Sequence, residues 1–411
     1  MITRLIYYFF ERRHYWRDVT FSEMAELYAS RALRTLAVSM VTIFIGVYLY
    51  QNGYDVTFIM LYFASYFLYR AALAYPFAYV IARIGPKHAT LLSNFLYVPA
   101  LLLLVTLPEY GIWALIGTAL FQGLSVTLYD MAYLVGFSKV RHEEHAGKEL
   151  GYMNMLDQIA KGTSPIIGGF VAYLFGPQST LLLASVIFVT AAIPLFFTPE
   201  PVRTHQIITF RGLPRRKIAR SVFTNILIGC DVIASGLVWS LLLITTVFSV
   251  TSNAVYAQLG ILSSITLVTS IIVARVFGLI VDKHRGDELL RVGVVADSLL
   301  HVARPFVGSA VGIGLVNVVN EMATTAYAMP YTKAMFALAD DLPGYRIVYM
   351  SLMSAAIALG ASMFCVIVAG LSLMFTTPQS LQISYGVIAV LVLGIILHGF
   401  SALRPRHWWS K

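Results

Sequence analysis

The chain has 411 residues, 58% of them hydrophobic and only 12% charged, with a formal net charge of +9 and a mean hydropathy of +0.77. Soluble domains carry roughly 25% charged residues, so this composition excludes an ordinary water-soluble fold and points to a chain embedded in lipid. Cys230 and Cys365 both fall in apolar runs far apart in sequence, which implies neither a disulfide framework nor a zinc site.

The first residues, MITRLIYYFFERRHYWRDVT, contain no cleavable signal. Ile2, Leu5, Ile6 and Phe9 share one helical face, with Arg4, Arg12, Arg13 and Arg17 supplying charge. That pattern reads as a short interfacial helix on an anionic leaflet or, alternatively, as a solvated tail. A hydrocarbon core about 30 Å thick needs ~20 apolar residues per helix. Such runs follow at about 24–50, 55–82, 88–107, 110–137, 149–175, 179–198, 219–249, 255–280, 288–308, 310–334, 346–375 and 380–402. The fold class expected is an all-α polytopic membrane protein with twelve transmembrane helices. Its divisions are an N-terminal cytoplasmic or interfacial segment at 1–20, a six-helix bundle at 21–198, a cytoplasmic linker at 199–218, a second six-helix bundle at 219–403 and a tail at 404–411.

Loop charges give the orientation. QNGYD, LPEYG, FGPQST, SVTSNAVYA, FVGSAV and TTPQS contain no Lys or Arg. The opposite loops hold Arg83, Lys87, Lys139, Arg141, Lys148, Arg203, Arg211, Arg215, Arg216, Lys217, Arg220, Lys283, Arg285 and Arg291. Positive residues stay on the cytoplasmic side, so both termini are expected inside, in a cytoplasmic membrane, with Trp408 and Trp409 at the inner interface. The net charge is then explained by these loops, and nucleic-acid binding has no support. HEEH at His142–His145 spaces its histidines by three, whereas a zinc-peptidase helix needs i and i+4; no metal and no cofactor are expected. The chain also lacks G-x-x-x-x-G-K-[ST], so no built-in ATPase is expected.

Ionisable residues deep in apolar runs are costly, at least about 2.5 kcal/mol each even on lenient scales, and face the bundle interior or a wet cavity. Arg31 and Arg34 lie in the inner part of the first span, Arg70 near the middle of the second and Asp130 in the inner half of the fourth. Asp157 and Lys161 are one turn apart on the fifth, a spacing at which they can pair along their own helix. Asp231 lies mid-way along the seventh, on a stripe with Ser235. Asp297, His301 and Arg304 follow at i, i+4, i+7 on the ninth, and the tenth carries Asn317, Asn320 and Glu321 with Thr324. Each carboxylate is either half of a structural ion pair or a proton or substrate site; His301 is either part of a buried pairing or a proton relay. The arginines either hold an anionic substrate or serve as gate and packing pairs.

Two turns repeat at an offset of 200 residues: AYVIARIGPKH from Ala78 and GLIVDKHRGDE from Gly278. Their form is similar to the G-x-x-x-D-R-x-G-R-K turn of the major facilitator superfamily. Arg83, Gly85 and Lys87 match it in the first half and Gly278, Asp282 and Lys283 in the second; Ala78 and Ala82 stand where Gly and Asp are expected. SPIIGG, with Pro165, Gly168 and Gly169, resembles the P-x-x-G-G part of the helix 5 motif of drug–proton antiporters in that superfamily. Small residues let helices approach closely and a proline loosens the ladder, so the stretch reads as a hinge or seal, or as plain small-residue packing. The resemblance implies two six-helix halves, helices 1, 4, 7 and 10 lining a central cavity, and a monomer rather than an enzyme. Its implied function is alternating-access transport of a small-molecule substrate, with a proton or other ion as the coupling partner and efflux slightly favoured. FQGLSVTLYD lacks the Arg of the helix 4 antiporter motif. A receptor or assembly factor on the same fold is the alternative, which would not need mid-membrane carboxylates in both halves.

Overall fold

The computed structural model describes residues 21–140, 146–197, 208, 215–248, 253–282, 285–340, 342 and 345–397. The interfacial segment at 1–20, His142–His145, most of the linker, Lys283 and the tail with Trp408 and Trp409 lie outside the described residues. Among the described residues the chain is all-helical, with no strand.

We label the long elements α1 (Phe21–Gln51), α2 (Val56–Ile84), α3 (Pro86–Val105), α4 (Ile112–Val140), α5 (Ala146–Phe175) and α6 (Pro177–Ala192). α7 runs from Arg215–Ile233 through a π turn at Ala234–Val238 into Trp239–Thr246, and α8 comprises Ala254–Ser264 and Thr266–Asp282. α9 (Gly286–Ala303), α10 (Ala310–Asp340), α11 (Arg346–Met374) and α12 (Thr377–Leu393) complete the order.

Nine helices among the described residues are long and apolar enough to cross a membrane. α5, α9 and α10 are not among them: α5 carries Asp157 and Lys161, α10 carries Asn317, Asn320 and Glu321, and α9 carries Asp287, Glu288 and Arg291 in its first turns besides Asp297 and His301. In α5 and α10 the polar residues that lower the hydropathy include candidate site residues.

Turn chemistry sets the short connections. Gly85 has φ +85°, a conformation that side-chain-bearing residues avoid, and Pro86 follows at the start of α3. A proline there loses no helical hydrogen bond, so the Arg83–Lys87 turn reverses the chain with one residue between helices. Lys87 is buried and its Nζ meets Glu26 Oε2 of α1 at 3.2 Å. Gly176 and Pro177 use the same device between α5 and α6, with φ +86°.

Helix packing follows the order in which the chain repeats. α1 packs on α5 and α6, α3 on α4 and α6, and α2 on α4; in the second part α7 packs on α11, α9 on α10 and α12, and α8 on α10. The broadest contacts between the two parts are α2 with α11 and α5 with α8. A shift of six elements turns one of these pairs into the other. Glycine permits both the α5–α8 and the α7–α11 approaches. A Cβ added at Gly169 would lie 2.5 Å from the Tyr256 carbonyl oxygen, and one at Gly260 2.3 Å from that of Pro165. One at Gly360 would lie 1.8 Å from the Ile226 carbonyl oxygen. Gly168 packs elsewhere: its added Cβ would meet Met40 and Phe44 of α1. The α5–α8 seal therefore runs through Pro165 and Gly169, and Gly168 serves the α1–α5 contact.

Candidate functional site

In the first part of the chain the buried charges find partners on neighbouring helices. Asp157 and Lys161 do not pair along α5, which corrects that expectation. The Asp157 carboxylate is bound by the Arg31 guanidinium of α1, with Arg31 Nε at 2.7 Å, and accepts from Thr35 Oγ1 at 3.1 Å. The planar guanidinium suits a carboxylate better than the Lys161 ammonium does. The same guanidinium lies 3.6 Å from the centroid of the Tyr133 ring. Arg70 of α2 pairs with Asp130 of α4 at 2.7 Å, and the Asp130 side chain stays 41% exposed, so this pair is open where Arg31–Asp157 is closed.

Arg34 is buried among neutral groups. It donates to Asn94 Oδ1 at 2.7 Å, Ser93 Oγ at 3.3 Å and Ser125 Oγ at 3.2 Å, and stacks 3.9 Å from the Tyr129 ring centroid. These hydrogen bonds and the ring face satisfy a desolvated cation without a carboxylate. Ser93, Asn94 and Ser125 are partners of Arg34 that the sequence did not single out; the signal was three small polar residues within apolar runs.

The second part of the chain holds a buried network around Asp231. The π turn at Ala234–Val238 begins three residues after it, and such bulges concentrate at functional sites. Asp231 accepts from Ser235 Oγ at 3.1 Å, from the Tyr327 hydroxyl of α10 and from His301 Nε2 of α9 at 2.8 Å. Arg304 donates to His301 Nδ1 at 3.3 Å, to Ser235 Oγ at 3.2 Å and to Asn320 Oδ1. Its guanidinium carbon lies 5.3 Å from the Trp239 ring centroid and 5.6 Å from that of Tyr385. Asn317 is used as a strut, accepting from Trp239 Nε1 at 3.0 Å and donating to the Leu262 carbonyl at 3.1 Å. Tyr327 and Tyr385 carried no sequence signal that sets them apart from the other 22 of the chain's 24 tyrosines.

Two candidate residues remain uncommitted. Lys161 on α5 is exposed and Glu321 on α10 is half-buried. Neither has an ion-pair partner within 4 Å among the described residues, yet the Lys161 charge acts on the Glu321 carboxylate. One comes from each part of the chain, and their charges are opposite. Gly278 and Asp282 fall in the last turns of α8.

The sequence model of the Major Facilitator Superfamily matches residues 27–365. No curated protein matches the chain. Among solved structures, it is similar to a POT family transporter in complex with a thioalcohol conjugated peptide, at 12% identity and a TM-score of 0.69, covering 90% of this chain and 94% of that one. A second, a POT family transporter in complex with 5-aminolevulinic acid, is 14% identical with a TM-score of 0.66 over the same shares of both chains. At these identities the likeness is one of fold. With the family match spanning most of its length, the chain belongs to the Major Facilitator Superfamily and is an integral membrane protein with a transporter fold.

Proposed function

We propose that this protein is a secondary active transporter that moves a small zwitterionic solute by alternating access. The observation that carries the reading is the pair of opposite, unpaired charges, Lys161 and Glu321, offered from the two parts of the chain. A half-buried charge such as that of Glu321 is costly unless matched, and a solute with separated amino and carboxyl charges would match it while meeting the exposed Lys161 with its other end. The molecules named in the two structural neighbours, a conjugated peptide and 5-aminolevulinic acid, are consistent with that chemistry.

In this reading twelve spanning helices form two six-helix bundles, 21–198 and 219–403, with both termini on the cytoplasmic side of the membrane. The bundles rock about the α2–α11 and α5–α8 seams. Arg31–Asp157 and Arg34 hold the first bundle together, while Arg70–Asp130, being partly open, is available as a gate. The coupling ion is a proton handled by carboxylates of the second bundle, and the helix 5 resemblance favours export. The absence of a nucleotide-binding loop supports an ion gradient as the energy source.

Solute exchange tests this directly. Purified protein in liposomes preloaded with dialanine or 5-aminolevulinic acid is expected to exchange internal for external radiolabelled solute faster than protein-free liposomes. Failure with zwitterions but success with anionic or cationic analogues would overturn the two-charge clamp. Reporter fusions after Asn52, Pro177 and Gln379 should all read outside; one inside reading contradicts the orientation.

A further inference from the structure

Asp297 is a buried carboxylate that the network around Asp231 leaves without a hydrogen bond. It sits on α9 with no exposed surface, and neither carboxyl oxygen has a hydrogen-bond partner. His301 Nε2 lies 3.5 Å from Asp297 Oδ2. The titratable and charged groups facing it are His301 from α9, Arg304 just beyond the end of α9, Asp231 from α7 and Tyr327 from α10, with Tyr385 of α12 stacked on the His301 ring. With His301 neutral, two carboxylates face one guanidinium, and the cluster is short of one positive charge. A buried carboxylate with no donor and no counter-charge is too costly to persist, so something must supply that charge.

The ligand atoms of Asp231, Asp297 and His301 lie within 4.8 Å of one another, close enough for a metal ion. Arg304 decides against one. A guanidinium can only donate, and it meets His301 Nδ1 at 3.3 Å. Nδ1 therefore accepts, and the ring proton sits on Nε2, where it is donated to Asp231 at 2.8 Å. A nitrogen that carries a proton cannot ligate a metal, and the remaining carboxyl oxygens are too few for an alkali cation, which takes about six oxygen ligands as its divalent neighbour calcium does.

We infer that Asp297 stores one exchangeable proton for the second bundle, passed to Asp231 through His301. The coupling role rests on the transport reading; the stored proton itself does not. On transfer, the Nε2–H bond breaks as its proton moves along the 2.8 Å hydrogen bond to the Asp231 carboxylate, and in the same concerted step the lone pair so freed takes the proton of Asp297, whose O–H bond breaks; His301 ends neutral and the negative charge moves from Asp231 to Asp297. Ser235 Oγ stands between Asp231 at 3.1 Å and Asn320 Oδ1 at 3.3 Å, next in sequence to Glu321. The store thus borders the proposed solute site without being exposed to it.

Infrared spectroscopy of the purified protein reads the proton without requiring transport. The wild type is expected to show the carbonyl stretch of an un-ionised carboxylic acid at neutral pH. Asp297→Asn should remove it, and Asp297→Glu should shift it. Because an amide resembles the protonated acid, Asp297→Asn should keep the wild-type Tm; a protein that fails to fold would show that an ionised Asp297 is needed and overturn the inference. So would a band that survives Asp297→Asn, or a Tm rise on adding Zn2+ or Na+ that this variant abolishes. In liposomes, Asp297→Asn should lower pH-driven accumulation at least tenfold. A lost band with undiminished accumulation would overturn the coupling role, whereas a lost band in a protein with no transport activity would leave the proton site standing and remove the transport reading.

Discussion

Glu321→Gln and Lys161→Gln are each expected to slow exchange of a zwitterionic solute by roughly ten- to a hundredfold at low solute concentration, through a higher KM. Each substitution removes one charge-assisted contact, worth roughly 1.5–3 kcal/mol, and 1.4 kcal/mol is about a factor of ten in affinity. Stability should change little, because among the described residues neither side chain has an ion-pair partner to leave uncompensated. That distinguishes them from Asp157, whose loss would strand the Arg31 guanidinium and cost on the order of 3–5 kcal/mol. The check is paired: exchange at several solute concentrations and Tm in detergent. A Glu321→Gln protein with unchanged KM, or with a Tm lowered as far as that of Asp157→Asn, would assign Glu321 to structure and remove it from the site.

Gly169→Leu and Gly360→Leu are expected to fail in different ways, although both add bulk where backbones touch. At Gly360 the added Cβ would lie 1.8 Å from the Ile226 carbonyl oxygen, within the α7–α11 contact of the second bundle. A rocking cycle never opens that contact, so the variant should not accumulate as folded protein. At Gly169 the clash, 2.5 Å from the Tyr256 carbonyl oxygen, lies on the α5–α8 seam between bundles, which the cycle does open. The cost of overpacking, typically 1–3 kcal/mol, then falls only on the state in which the seam is closed. It biases the two states by up to roughly a hundredfold, and exchange should collapse in a protein that still inserts and remains monodisperse. Size-exclusion profiles and exchange rates separate the cases. Equal misfolding of both variants would mean that the α5–α8 seam is static.

The sequence made the membrane class legible because apolar run length and loop charge are properties of segments, not of tertiary partners. The turn at Arg83–Lys87 was legible as a repeated basic turn between two spans; that it shortens to the single residue Gly85 was not, because it depends on both helices running into the turn. The buried charges were legible as a set, since any carboxylate in an apolar run stands out. Their pairing was not. Asp157 has Lys161 one turn away along its helix, but takes Arg31, 126 positions distant, because helix packing brings a forked donor to it. Asp297, His301 and Arg304 were visible as a stripe, yet the unpartnered state of Asp297 depends on Arg304 turning toward His301 and Asn320. The partners of Arg34 and Asp231, among them Asn94, Ser125 and Tyr327, were hidden because serine, asparagine and tyrosine in a spanning helix raise no alarm until something is seen to point at them. Gly168 and Gly169 could not be told apart in sequence; one residue of helical rotation, about 100°, sends one to α1 and the other to α8.

In the proposed cycle an ion gradient, relayed through the second bundle, drives a solute across the membrane. Protein reconstituted in liposomes with dialanine inside and out, under an imposed pH gradient, tests it most directly. The account predicts net accumulation of labelled dialanine that reverses side when the gradient is reversed and vanishes when an ionophore collapses it. Equal solute on both sides in every gradient, from a protein whose gradient-free exchange is intact, would contradict it.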